Sequence, residues 1–117
     1  MNRHLDAYLR TFRRLAGLSQ AELALLVGLR SNTTISRFEE LKRVPTLPAA
    51  LALELIFGAP STDIFPGVLA TVKDGLHHRA RDLYEMLQGD PSITTRVKLD
   101  FLEAVLSRSE GSGTDDV

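Results

Sequence analysis

Apolar residues recur along this chain at steps of three and four, and no segment alternates apolar and polar residues over a strand's length. That period is the period of an α-helix facing a core, so every element is expected to be helical. The first helix is expected from about Asn2 to Ala16, with Leu5, Tyr8, Leu9, Phe12 and Leu15 on one face and Gly17 as its stop. The second opens on Ser19-Gln20-Ala21-Glu22. A Ser three residues ahead of a Glu is a capping box, in which each side chain satisfies the other's free backbone N–H. Ala21, Leu23, Ala24, Leu26 and Val27 supply its inner face, and Gly28 allows a sharp turn. A third helix, capped by Ser31 or Asn32, runs to about Leu41. It turns Ile35 and Phe38 inward and Asn32, Thr33, Thr34, Ser36 and Arg37 outward.

Pro45 and Pro48 flank the start of a fourth helix, about Pro48 to Phe57, which is apolar almost all round and so expected to be buried on several sides. Residues 58–63 read as a loop that ends at Ile64-Phe65-Pro66. A long amphipathic helix, about Gly67 to Gln88, carries a seam of Leu69, Val72, Leu76, Ala80, Leu83 and Leu87. Asp90 as N-cap and Pro91 at the first helical position start a last helix to about Ser107. Its apolar residues are Ile93, Val97, Leu99, Phe101, Leu102, Val105 and Leu106. Residues 109–117 are too polar and glycine-rich to fold alone.

The 117 residues hold one compact domain and a small appendage, with 44% hydrophobic and 25% charged residues. The chain has no cysteine. Disulfides and thiolate zinc sites are thereby excluded, and a reducing, cytoplasmic setting is expected. No signal peptide is expected behind the polar start Met1-Asn2-Arg3-His4, and no stretch approaches the roughly 18 apolar residues of a membrane span. The net charge of −1 argues against a nucleic-acid partner until its distribution is read. Residues 1–46 hold eight Lys and Arg against four acids, net +4, whereas residues 47–117 hold six against eleven, net −5. Only the first part is suited to phosphate.

A capped helix, a turn with glycine and a second helix with a polar outer face are the parts of a helix-turn-helix. Ser19-Gln20-Ala21-Glu22-Leu23-Ala24, Gly28, Thr34-Ile35-Ser36-Arg37-Phe38-Glu39 and Lys42-Arg43-Val44-Pro45 together resemble the Xre/lambda-repressor-like family, with the likeness extending through Ile64-Phe65. The resemblance implies a five-helix helix-turn-helix domain over residues 1–65; the apolar pattern beyond it completes an all-α fold with two C-terminal amphipathic helices, a dimerisation or interaction region over 66–108, and a tail over 109–117. It implies that Gln20 bonds a phosphate and that Thr33, Thr34 and Arg37, with Asn32 beside them, present to base edges. Ser36 and Lys42 or Arg43 are expected on phosphates, and Arg30 on either. Two departures stand out. Gly28 to Ile35 is one residue longer than the family pattern, which leaves the start of the third helix open. Glu39-Glu40-Leu41 replaces its Glu-x-Gly, so the third helix is expected to end differently. Two acids beside phosphate repel it unless Glu39 turns inward to an arginine.

The expected function is a sequence-specific transcriptional regulator, a repressor or autoregulator, bound to double-stranded DNA. The seam of the long helix either folds back as core or pairs with a second subunit, and a homodimer is expected. The rival is an antitoxin or anti-activator that acts through a protein partner. His77 and His78 are neighbours and point about 100° apart on a helix, a poor arrangement for one metal ion. Asp82 and Glu85 read as a solvated face paired with Arg79 and Arg81. No nucleophile–base group or phosphate-cradling glycine loop is present, so no enzyme activity, metal or cofactor is expected.

Overall fold

In a computed structural model of the chain, residues 5–110 are described, and they form seven helices and no strand. In chain order these are α1 (Leu9–Leu15), α2 (Gln20–Val27), α3 (Asn32–Glu39), α4 (Leu47–Phe57), α5 (Ser61–Ile64), α6 (Pro66–Met86) and α7 (Ile93–Arg108). The chain divides into two compact units, Met1–Leu69 and Ala70–Val117.

In the first unit α1 to α5 surround one core of Leu9, Leu23, Ala24, Ile35, Phe38, Ala49, Leu53, Ile64 and Phe65, with the Phe12 and Phe57 rings 5.6 Å apart at its edge. Helix α1 begins seven residues later than the apolar spacing suggested; of the expected first turns, residues 1–4 lie outside the described residues, and Leu5 to Tyr8 are not helical. Tertiary hydrogen bonds compete with the helix there. The Tyr8 N–H donates to the Ile64 carbonyl at 2.7 Å, and the Asp6 carbonyl accepts from the Gly67 N–H at 2.9 Å. Gly67 permits this approach, because a Cβ on it would lie 2.6 Å from the Asp6 Cβ. Leu15 is exposed rather than part of an inner face, and Arg13 is buried in its stead.

Helix α4 starts at Leu47, where the Thr46 hydroxyl accepts from the Ala49 N–H at 3.3 Å. It is less enclosed than its composition implied: Leu47, Leu51 and Leu55, at steps of four, are exposed. The expected loop after it holds a further helical turn, α5. The Glu54 carboxylate of α4 accepts from the Ser61 N–H at 2.8 Å, which anchors that turn and holds the Glu54 carboxyl below its ordinary pKa.

The second unit is a helical hairpin. Helix α7 is capped by Ser92, whose hydroxyl accepts from the Thr95 N–H at 3.1 Å, rather than by Asp90 with Pro91 as first residue. Asp90 stands outside the cap and accepts from the Ser92 N–H at 3.0 Å and the Thr95 hydroxyl at 2.9 Å. Those donors, the backbone N–H foremost, lower its pKa. The Tyr84 hydroxyl of α6 donates to Glu103 of α7 at 3.0 Å, and that hydrogen bond raises the tyrosine pKa. Ser109, expected in a free tail, is buried and lies 3.1 Å from His77 Nδ1. Residues 111–117 of that tail lie outside the described residues. Arg81 reaches His77 Nε2 at 3.2 Å, and neither Arg79 nor Arg81 forms an ion pair with Asp82 or Glu85. No helix of the described residues is long and apolar enough to cross a membrane, and no three metal-ligating side chains come together among them.

Candidate nucleic-acid interface

The turn between α2 and α3 is built from local chemistry. The Ser19 hydroxyl accepts from the Glu22 N–H at 3.0 Å and the Glu22 carboxylate accepts from the Ser19 N–H at 2.8 Å, so both halves of the capping box are made. Helix α2 ends at Gly28 with φ of 91°, a left-handed conformation that a β-carbon makes costly. Leu29 to Ser31 complete the connection, and the Ser31 hydroxyl accepts from the Thr33 N–H at 3.0 Å. That cap places the start of α3 at Asn32, so the extra residue lies in the turn and not in the helix. Leu23 and Ala24 of α2 and Ile35 and Phe38 of α3 are all buried in the one core. Only Leu23 and Ala24 of the expected inner face of α2 are fully buried, while Ala21 and Leu26 are exposed.

Burying Ile35 and Phe38 fixes the rotation of α3. Asn32, Thr33 and Arg37 face solvent, and Thr34 and Ser36 are half-buried at the margin. The side chains of Asn32, Thr33, Thr34, Ser36 and Arg37 make no hydrogen bond or ion pair with the described residues. Arg30 and Arg43 are likewise exposed and unpaired, whereas Lys42 Nζ lies 3.5 Å from the Glu40 carboxylate. That pair is largely solvated and contributes little, so it leaves Lys42 available to a phosphate.

Glu39 turns inward. Its carboxylate accepts from Arg13 Nε at 2.5 Å and Nη2 at 3.4 Å, and from Gln20 Nε2 at 3.0 Å. Arg13 Nη1 donates to the Leu18 carbonyl at 2.9 Å. The end of α3 is thus tied to α1 and to the first residue of α2. The clamp removes one of the two adjacent acids from the surface that phosphates would approach. It also holds Gln20 by one amide N–H and leaves the second for another acceptor. Arg13 was missed in the sequence, where it falls on the polar side of α1; the inward turn of Glu39 was the only signal for it.

The far end of α3 closes differently from the expectation. Leu41 adopts φ of 55°, the left-handed conformation that a glycine would take there. The Lys42 N–H donates to the Arg37 carbonyl at 2.9 Å and the Leu41 N–H to the Phe38 carbonyl at 3.2 Å, which is a Schellman pair. The half-buried Leu41 side chain packs on the core and offsets the strain. The helix therefore stops at Glu39, two residues early, and sends Lys42 and Arg43 back past its C-terminal turn.

The family model described as helix-turn-helix matches residues 9–64, from the start of α1 to the end of α5. No curated protein and no solved structure matches the chain. Over residues 9–64 the chain therefore carries a helix-turn-helix domain of the Xre/lambda-repressor-like type.

Proposed function

We propose that the protein reads a specific duplex sequence with the outer face of α3 and represses transcription, its own gene included, by occupying DNA that polymerase needs. One observation carries the proposal: the Asn32, Thr33 and Arg37 side chains stand exposed on one capped helix with no internal partner. An α-helix is about 10–12 Å across with its side chains, which fits the major groove, about 12 Å wide. In that groove Arg37 bridges guanine O6 and N7, while Asn32, Thr33 and Thr34 reach neighbouring base edges. Gln20, Ser36, Arg30, Lys42 and Arg43 hold phosphates on either side, fixing the register of α3 without reading sequence.

The test is binding of the purified chain to its own upstream DNA at several salt concentrations, beside Arg37→Ala and Arg43→Ala. Arg43→Ala should weaken binding to all sequences alike and reduce the salt slope by about 0.9. Arg37→Ala should cost roughly 1–3 kcal/mol of discrimination at one base pair. Absence of selective binding at low salt by folded protein would refute the reading and favour a protein partner as the target.

A further inference from the structure

His77 of α6 meets the end of α7, and its two ring nitrogens have different partners. Nδ1 lies 3.1 Å from the hydroxyl of the buried Ser109, and Nε2 lies 3.2 Å from Arg81 Nη2, one turn further along α6. A guanidinium only donates, so Nε2 accepts and the ring proton sits on Nδ1. The direction of the whole chain of hydrogen bonds is then set. Arg81 donates to His77 Nε2, His77 Nδ1–H donates to Ser109 Oγ, and the Ser109 hydroxyl donates to the Leu106 carbonyl at 3.4 Å. This relay admits only a neutral ring. Histidine is the side chain that changes charge between about pH 5 and 8. A second proton, on Nε2, removes the acceptor from Arg81 and sets two cations 3.2 Å apart.

We propose that His77 is a proton-operated clasp on the end of α7: when protonated it releases Arg81 to solvent and holds Ser109 and the last turn of α7 more tightly. The surroundings of the ring decide this direction. On α6, Lys73 and Asp74 stand one turn before His77 and Arg81 one turn after, and Asp74 lies 3.6 Å from His78. On α7, Arg108 and Glu110 flank Ser109 in the chain. Among the described residues no carboxylate comes within ion-pair distance of His77. The repulsion from Arg81 is relieved cheaply, because that side chain is exposed and turns into water. The attraction on the other side is fixed in place. Ser109 is the C-cap of α7 and its N–H donates to the Val105 carbonyl at 2.9 Å. The carbonyls of that last turn have no helical N–H partners, and their partial negative charge favours a cation beside them. A charged Nδ1–H also makes a stronger hydrogen bond to Ser109 than a neutral one. The clasp lies wholly within the Ala70–Val117 unit and requires neither DNA nor a second chain.

The test follows the full chain without DNA by NMR from about pH 7.5 to 5, with amide protection corrected for the intrinsic pH dependence of exchange. As the His77 ring signals titrate, protection of the amides of Leu106, Ser107, Arg108 and Ser109 should rise about 2–5-fold with the same midpoint. The Asp90 carboxyl, held below its ordinary pKa of 3.8, titrates outside this range and does not contribute. His77→Gln keeps a neutral donor and acceptor at the position and should abolish the rise while the unit stays helical by circular dichroism. His78→Gln, at the exposed neighbour, should leave the rise intact. Arg81→Ala should not lower protection at pH 5, where the arginine is already released. Protection that stays level or falls as His77 titrates overturns the proposal. So does a rise that survives His77→Gln, one that is lost in His78→Gln, or a loss of protection at pH 5 in Arg81→Ala.

Discussion

Glu39→Ala removes the acceptor of three N–H donors at once. In the intact protein the Arg13 side chain is 10% exposed and that of Glu39 5%, so water reaches neither to replace what is lost. The change leaves Arg13 with the Leu18 carbonyl alone and Gln20 Nε2 without its partner. A buried ion pair broken from one side costs about 3–5 kcal/mol, because the remaining charge stays buried and unpaired. That is a large share of the roughly 5–15 kcal/mol that holds a domain folded. Removing both charges differs in kind, since apolar residues of similar volume fill the site without a desolvation penalty. Arg13→Met with Glu39→Leu should therefore lie within about 1 kcal/mol of wild type, and the cycle through Arg13→Met alone and Glu39→Leu alone should give a coupling of at least about 2 kcal/mol. The assay is urea unfolding followed through the NMR signals of Leu23 and Phe38, which report the core of the first unit. Added salt should leave the coupling intact, as both charges are inside. A cost below about 1 kcal/mol for Glu39→Ala, or a double variant as unstable as the single one, would refute this account of the clamp.

Three further outcomes are expected. Gly67→Ala should destabilise the first unit by about 1–3 kcal/mol in the same unfolding assay, through the 2.6 Å clash with Asp6, although helix propensity alone favours alanine by about 1 kcal/mol. Leu41→Ala should cost more than Leu41→Gly: alanine loses packing and keeps the left-handed strain, whereas glycine loses packing and sheds about 1–2 kcal/mol of strain. Asp90 has a pKa below its ordinary value of 3.8. Its contribution is therefore present above that value and lost as pH falls through the depressed folded pKa. Asp90→Asn should flatten the acid side of the helicity–pH curve below about pH 4, read by far-ultraviolet circular dichroism.

Local chemistry made the reading part of the site legible. Ser19 and Glu22 carry a complete cap within four residues, Gly28 carries the turn, and Ile35 and Phe38 at a step of three set which side chains of α3 face outward. None of these depends on residues distant in the chain, so each stands in the order of amino acids alone. The same is true of the basic first part and the all-helical class. The extra residue before α3 was ambiguous because Ser31 and Asn32 are both competent caps. The Ser31–Thr33 hydrogen bond resolves it.

Pairings across the chain decided the rest. The start of α1 was set by the Tyr8–Ile64 and Asp6–Gly67 hydrogen bonds, which span about 60 residues and outweigh local apolar spacing. Arg13 reads as surface until α3 brings Glu39 beside it, because the cost of burying a charge depends on a partner 26 residues away. Leu41 takes a conformation that glycine favours because its side chain is held by the core. Helical period in sequence shows which residues share a face; which faces are covered is settled only when other elements occupy the space around them. For this protein the sequence determined the helices, their caps and the outward face of α3. The tertiary structure decided where the chain departs from helix, which charges are internal, and which apolar residues of α4, α6 and α7 remain outside.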